Sequence, residues 1–346
     1  MAFYPQFFRI GSHHGGRRCS SGKGTRRVAQ INGHASRITL VSILVTGADG
    51  FLGQWVVKEL VRNRLDAVAW NGPQAYDNAI DLLDRDRVLD GMKASQPRVV
   101  LHLAGASSVA QSWQDPGGAI AINVLGTLNL WQAARETNVD RFIYVSSAEV
   151  YAVDEKDIEP IKESRQCDPR NPYATSKHAT EQLLGELSAQ SSTKVVILRP
   201  FNIVGPGQRA GFVLTDFARE IIRVKKENRR RLLTGNLDVI RDFLDVRDAV
   251  RAYRLLCTEN YQGHVFNICS GIGRPLQDVI QAMLHLAGLP QVDIQRDVSK
   301  YRPNDRPVLI GNRSALSQTI DWVPTIPWER TLTDILAYED NNRDKL

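Results

Sequence analysis

Tyr173-Ala174-Thr175-Ser176-Lys177 opens a helical stretch directly after Asn171-Pro172. That spacing puts a phenol and an ammonium one turn apart on the same face. A neighbouring ammonium and an oxidised nicotinamide ring both favour phenolate and pull a tyrosine down from about 10, so that it can exchange protons with a hydroxyl or carbonyl. A Tyr and a Lys four residues apart are common on helix surfaces, and what gives this pair weight is what precedes it. The apolar run 142–145 ends in Ser146-Ser147-Ala148-Glu149-Val150-Tyr151, where the hydroxyl of Ser147 can hold a reacting oxygen and Glu149 brings a carboxylate to the same strand end.

A second chemical feature is the turn Thr46-Gly47-Ala48-Asp49-Gly50-Phe51-Leu52-Gly53, which follows the apolar run 42–45 and leads straight into a helix. Gly47 permits the tight turn, Gly50 lets the backbone approach a pyrophosphate and Gly53 allows close packing of helix on strand, while the helix N-terminus favours the anionic charge. Such a glycine triplet alone is an ordinary loop. Between a strand and a helix it points to a dinucleotide. The carboxylate that would bind a ribose 2′-hydroxyl about 20 residues further on is missing, because that place reads Trp70-Asn71-Gly72; Asp66 lies at the wrong end of its strand. With neither an acid nor an arginine there, the sequence leaves NADP and NAD both open and leads to the expectation that NADPH is accepted at least comparably with NADH. Asp81 is the candidate for the adenine end, with capping of the next helix as its alternative reading.

The elements that must position these groups follow a βαβ rhythm from residue 42. Strands are predicted at 42–45, 67–70, 79–82, 98–102, 142–145 and 194–198, and helices at 52–64, 85–95, 119–137 and 174–190, each with apolar residues three and four apart. This is an α/β, Rossmann doubly wound parallel sheet. After Pro200 come longer loops and helices at 215–226, 246–257, 276–286 and 328–338, a smaller and mainly helical C-terminal substrate lobe. The expected division is a disordered basic extension over 1–40, a dinucleotide-binding domain over 41–200 and a nucleotide-sugar-binding lobe over 201–346, interleaved with the first.

Composition excludes several classes. Hydrophobic residues are 42% and charged residues 24% of 346, an ordinary globular balance, and no apolar run approaches the ~20 residues that would span a bilayer. The net charge of +6 comes from the first 40 residues, which hold seven Lys or Arg and no Asp or Glu. The remaining chain is nearly neutral, which removes the support for a nucleic-acid surface. The basic extension reads as disordered, or as an organellar transit peptide, or as an anion-binding arm; without an apolar core and cleavage site it is not a secretory signal. Cytoplasmic location is expected, with an organelle as the alternative if the extension is a transit peptide. The four cysteines, Cys19, Cys167, Cys257 and Cys269, are scattered, which fits a reducing compartment, and His and Cys show no metal-ligand spacing.

With these motifs in order, the chain from about 42 to 340 resembles the extended short-chain dehydrogenases and reductases, which work with a Ser or Thr, a Tyr and a Lys. Ser147, Tyr173 and Lys177 match that set, and Glu149 is added as a fourth catalytic candidate. The second half narrows the resemblance. Arg199-Pro200-Phe201-Asn202-Ile203-Val204-Gly205-Pro206-Gly207-Gln208, Arg241-Asp242-Phe243-Leu244-Asp245-Val246-Arg247-Asp248 and Arg302-Pro303-Asn304-Asp305-Arg306-Pro307 are similar to reductases of GDP-4-keto-6-deoxy-D-mannose. Related 4,6-dehydratases would carry an Asn-His-Glu-Ser-Pro-type stretch where this chain has Asn202 to Pro206, and a fucose-type epimerase-reductase would carry Cys in place of Glu149.

The resemblance implies NADP or NAD as hydride donor, held by Gly47, Asp49, Gly50, Phe51, Leu52, Gly53, Asp81, Leu82, Leu103, Ala104, Tyr173, Lys177, Phe201 and Ile203. It implies a GDP-linked 4-keto-6-deoxy sugar held by Ser108, Asn202, Arg241, Arg302 and Asp305, with both arginines on the diphosphate. It also implies a homodimer through the helices at 119–137 and 174–190. No metal is expected.

Overall fold

The structure, a computed structural model, describes residues 41–75, 77–152, 158–301 and 306–342. The basic extension, Arg302 and Asp305 therefore lie outside the described residues. Six strands form one parallel sheet: β1 (Ser42–Thr46), β2 (Asp66–Trp70), β3 (Val99–His102), β4 (Arg141–Val145), β5 (Lys194–Pro200) and β9 (Val265–Ile268), in the order β2-β1-β3-β4-β5-β9. Strand β9 comes from the second half of the chain, so both halves build the main sheet.

Alternation along β1 explains why the sheet is covered on both faces. Ile43 and Val45 pack with Val56 and Leu60 of α1 (Phe51–Arg62) and with Ala249, Val250 and Tyr253 of α8 (Val246–Thr258). Leu44 faces the other way, with Val88 and Met92 of α2 (Arg85–Ser95) and Leu130 and Trp131 of α5 (Thr127–Glu136). The interiors of β1, β4 and β5 are accordingly continuous apolar runs, as a doubly covered parallel sheet requires.

Two expected elements differ. The strand expected at 79–82 is a single bridge between Asn71 and Ala79. The segment around it carries Asp77, Asp81 and Asp84, and the Asp81 carboxylate accepts from Leu83 N at 2.9 Å, a local turn that competes with strand pairing. The helix expected at 119–137 is built from α4 (Pro116–Ile120), a π-helical turn (Ala121–Gly126) and α5. It follows α3 (Val109–Gln114) and packs beside α6 (Pro172–Ser188).

The second lobe has its own core, with Leu214, Phe217 and Ile221 of α7 (Val213–Lys226), Val279, Ile280 and Met283 of α9 (Leu276–Leu286), and Leu332 and Ile335 of α11 (Trp328–Asn342). Its small sheets are centred on β8 (Ile240–Asp245), which pairs with β6 (Asn202–Val204), β10 (Gly273–Pro275) and β12 (Val308–Leu309), and on the pair β7 (Arg231–Thr234) and β11 (Asp293–Arg296). A short helix, α10 (Ser314–Ile320), returns to the main sheet beside β9. Among the described residues no helix is long and apolar enough to cross a membrane.

Candidate active site

The glycine-rich turn has the geometry of an anion cradle. Gly47 sits at φ +66°, and a Cβ there would lie 2.8 Å from the backbone of Ala104; a Cβ on Gly53 would lie 2.1 Å from the Gly47 carbonyl oxygen. The first position needs glycine for its dihedral, the last for the closeness of helix to turn. Helix α1 starts after Gly50 with no side-chain cap and no acid in its first turn, so no side chain satisfies the N–H groups at the positive end of this three-turn helix. A dinucleotide pyrophosphate fits this place. Beneath it, His102 at the end of β3 is hydrogen-bonded to Thr46 at 2.7 Å and to Thr127 at 2.8 Å. Burial, aided by the charge of Lys177, lowers His102 to about 3, so it is neutral and structural. Ala104 N donates to Thr46 Oγ1 at 3.3 Å, and Leu103 is partly buried beside it against the main core.

Asn171 caps α6 by accepting from Ala174 N at 2.8 Å, with Pro172 in the first turn. That cap fixes where the phenol and ammonium stand. Tyr173 and Lys177 are both buried, and Ser147, whose hydroxyl accepts from Glu149 N at 3.2 Å, stands at the adjoining strand end. Lys177 Nζ donates to the Val145 carbonyl at 2.9 Å and lies 4.9 Å from the Tyr144 ring. Burial lowers Lys177 to about 8, with Glu181 one turn on pulling the other way. Burial also pushes Tyr173 up to about 12, with the nearby Ser147 hydroxyl pulling it down and the Glu149 charge adding to the rise. The sequence spacing anticipated a lowered phenol in the presence of an oxidised nicotinamide; the protein by itself holds a protonated one, which is the form that can give a proton away. Glu149 lies at this strand end, its carboxylate accepting from Asn171 Nδ2 at 3.4 Å and its carbonyl from Arg306 at 3.1 Å.

Other candidates are placed as follows. Asp49 is exposed and its carboxylate accepts from Gly72 N at 3.1 Å. The cap of α2 is Asp84, which accepts from Arg87 N at 3.1 Å, so capping is not the role of Asp81. Leu82 is buried in the core under α2 and α5. Ile203 joins the main core and Phe201 a small cluster with Tyr151 and Cys269. The Asn202 amide donates to the Asp242 carbonyl at 2.9 Å, and Ser108 caps α3 through Gln111 N at 3.2 Å. Arg241 stands opposite Arg274 across the β8–β10 pair and donates to the Ile240 carbonyl at 3.0 Å. Asp245 and Asp248 are structural. Asp245 caps α8 and binds Arg247; Asp248 accepts from the backbone of Thr325 and Ile326.

Asn123, which the sequence reading missed, sits in the π-helical turn. It accepts from Ala106 N at 2.9 Å and donates to Ser176 Oγ at 2.8 Å, tying the loop after β3 to the helix of Tyr173 and Lys177. A π-turn is often a functional feature, but nothing in the residue pattern marks one. Arg209 was missed as well; it reaches across from the loop after β6 to Ser107 Oγ at 3.2 Å.

Among the described residues, histidine and cysteine side chains scattered in sequence meet at one place. Cys167, His178 and Glu181 bring potential ligand atoms within 4.8 Å of one another. The Glu181 carboxylate is already held by the Arg199 guanidinium at 2.6 and 3.1 Å, a positive charge that opposes a cation there.

Residues 43–269 match the family described as NAD dependent epimerase/dehydratase. The chain is 35% identical over 297 residues to the GDP-6-deoxy-D-mannose reductase of Pseudomonas aeruginosa, covering 85% of this chain and 96% of that protein. It is 28% identical to the GDP-6-deoxy-D-talose 4-dehydrogenase of Aggregatibacter actinomycetemcomitans, covering 80% of this chain and 90% of the relative. The structure is similar to that of RMD from Pseudomonas aeruginosa complexed with NADPH, with a TM-score of 0.78 and 34% identity, covering 87% of this chain and 99% of that one.

Proposed function

On the premise that this chain belongs to the NAD-dependent epimerase/dehydratase family, we propose that it reduces the C4 keto group of GDP-4-keto-6-deoxy-D-mannose to give GDP-D-rhamnose. The observation that carries this reading is the Tyr173 phenol, buried on the same helix as Lys177, whose ammonium is fixed to the Val145 carbonyl at 2.9 Å two residues before Ser147; burial pushes the phenol up to about 12. A phenol in that state is an acid waiting for a base, and the alkoxide formed when a ketone is reduced is such a base. When bound, NADPH or NADH supplies the hydride. The chain's own residues do the rest. Ser147 orients the C4 oxygen, Tyr173 donates the proton to it, and Lys177, fixed through Val145, keeps a positive charge beside the developing negative one. Gly47, Gly50 and Gly53 hold the pyrophosphate at the start of α1, and Arg241 with Arg302 pairs with the diphosphate of the sugar nucleotide. The Pseudomonas aeruginosa relative, a GDP-6-deoxy-D-mannose reductase found with NADPH, supports the substrate and the use of a nicotinamide dinucleotide as donor.

The direct test is incubation with GDP-4-keto-6-deoxymannose, made in situ by a dehydratase, while NADPH or NADH absorbance is followed. Oxidation of the dinucleotide with formation of GDP-D-rhamnose is expected. Glu149 beside Tyr173 favours a second reading, a 4,6-dehydratase with Glu149 as the base at C5; conversion of GDP-mannose by the protein alone, without net dinucleotide consumption, would support it instead.

A homodimer fits the apolar side chains left exposed on neighbouring helical segments, Ile120, Ile122 and Leu125 around the π-turn and Leu183 on α6, because contiguous exposed apolar surface marks an interface. Light scattering of the wild type and of Leu125→Glu tests it: the first should run at twice the chain mass, the second at one. The free, buried Cys257 and Cys269 suit the reducing cytoplasm.

A further inference from the structure

We propose that Asp49 selects between the two nicotinamide dinucleotides, and that it selects NADH. The inference rests on the glycine-rich turn being a dinucleotide cradle. In a doubly wound sheet the adenosine ribose lies at the carboxyl end of the second strand, where a carboxylate accepts from its 2′-hydroxyl. Strand β2 ends in Trp70, Asn71 and Gly72 and brings no acid of its own. The Asn71 amide is engaged elsewhere, its Nδ2 donating to the Asp77 carbonyl at 2.8 Å.

The first turn supplies what the second strand lacks. Strands β1 and β2 run parallel with Thr46 opposite Trp70, and Ala48 N donates to the Trp70 carbonyl at 3.0 Å. The glycine-rich turn and the loop after β2 therefore leave the sheet side by side. Across the gap between them Asp49 Oδ1 accepts from Gly72 N at 3.1 Å, and a Cβ built on Gly72 would stand 3.4 Å from Asp49 Oδ2. The carboxylate thus lies over the end of β2 while remaining exposed to a ligand.

Charge decides which ligand. A ribose 2′-hydroxyl can donate to this carboxylate, whereas a 2′-phosphate brings nearly two negative charges against it. From 71 to 84 the chain holds Asp77, Asp81 and Asp84 and no Lys or Arg, so this loop offers no guanidinium or ammonium to pair with a phosphate. The missing acid after β2 led to the expectation that NADPH is accepted at least comparably with NADH; an acid delivered from the neighbouring turn argues for the other preference.

The test is fluorescence titration of the full chain with NADH and with NADPH, in wild type and in Asp49→Asn. Asparagine keeps an acceptor for Gly72 N and removes only the charge. Wild type should bind NADH at least roughly tenfold more tightly than NADPH, with the gap narrowing as ionic strength rises. Asp49→Asn should bring the two affinities to within about threefold, chiefly by tightening NADPH, with the melting temperature of the unliganded protein unchanged. Equal or tighter binding of NADPH by wild type, or an unchanged ratio in Asp49→Asn, would overturn the assignment to Asp49 while leaving the cradle standing. Binding of neither dinucleotide by folded wild type would overturn the cradle and this inference together.

Discussion

Lys177 Nζ donates to the carbonyl of Val145 at 2.9 Å, so the ammonium of α6 is pinned to the end of β4, two residues before Ser147. Its position is fixed by the sheet, and its charge depends on pH. Burial lowers Lys177 from an ordinary 10.5 to about 8, while Tyr173 stands at about 12. Below pH 8 both carry their protons; as pH rises through 8 the ammonium is lost and the phenol is not. Reductase turnover should therefore show one descending limb near pH 8. Arginine stays charged at any working pH. Lys177→Arg, although slower, should lose that limb in a pH–rate profile, and a limb that persists unchanged would assign it to another group.

Tyr173→Phe removes the proton donor and leaves the ring. Turnover should fall by roughly 10²-fold or more through lost acid catalysis, while dinucleotide affinity measured by fluorescence stays within about twofold. A large loss of affinity with unchanged turnover would show that the phenol binds and does not donate.

Glu149 hydrogen-bonds Asn171, the cap of the helix that carries Tyr173. As a reductase the protein needs no base at C5, so Glu149→Gln, which keeps the hydrogen-bonding shape, should retain turnover within about tenfold. Product formed in deuterated water from keto sugar made beforehand in ordinary water and freed of the dehydratase should carry no solvent deuterium at C5 in either protein. Deuterium at C5 that disappears in Glu149→Gln would point to the dehydratase reading.

What the sequence made legible was periodic or local. The strands at 42–45, 142–145 and 194–198 are apolar runs whose burial on both faces of one sheet leaves them no other place, and the start of α6 at Asn171-Pro172 follows from local capping. What it hid depends on neighbours distant in the chain. Asp49 and Gly72 are 23 positions apart, and only the parallel register of β1 and β2 joins them. The expected strand at 79–82 has the right apolar residues, but its aspartates turn the backbone first. Cys167, His178 and Glu181 meet because the chain before α6 folds back onto that helix, which spacing does not reveal.

Arg199 and Glu181 form a two-point ion pair, with side chains only 8% and 3% exposed. Burial alone would push the Glu181 carboxyl up, but His178 and Arg199 bring it below its ordinary value. A depressed carboxylate stabilises the fold above its unfolded value near 4.5 and loses that contribution as pH falls through the folded one. Arg199→Leu strands a buried carboxylate and should cost about 3–5 kcal/mol at neutral pH. The deficit should shrink on acidification, where Glu181 takes up a proton. Urea unfolding at pH 7 and pH 5 measures both, and a deficit independent of pH would mean that packing, not charge, was lost.

Asn123 occupies the π-turn, where its carboxamide accepts from Ala106 N and donates to Ser176 Oγ, and its carbonyl accepts from Thr127 and Thr180. A Cβ on Gly105 would lie 2.6 Å from Asn123 Oδ1 and 3.4 Å from Lys177 Nζ, so the carboxamide and the ammonium border the same loop residue. Asn123→Ala leaves the Ala106 N–H without its acceptor and should cost about 1–3 kcal/mol. The loop after β3 would then lose its tie to α6 beside the ammonium. Asn123 is thus a positioning residue, and its loss should lower kcat more than it raises KM, since the disturbed groups act on the developing alkoxide. Asn123→Asp keeps the acceptor for Ala106 N and should restore stability in part. Equal losses of kcat and stability in both variants, with the descending limb near pH 8 unmoved, would reduce Asn123 to a structural bond without influence on Lys177.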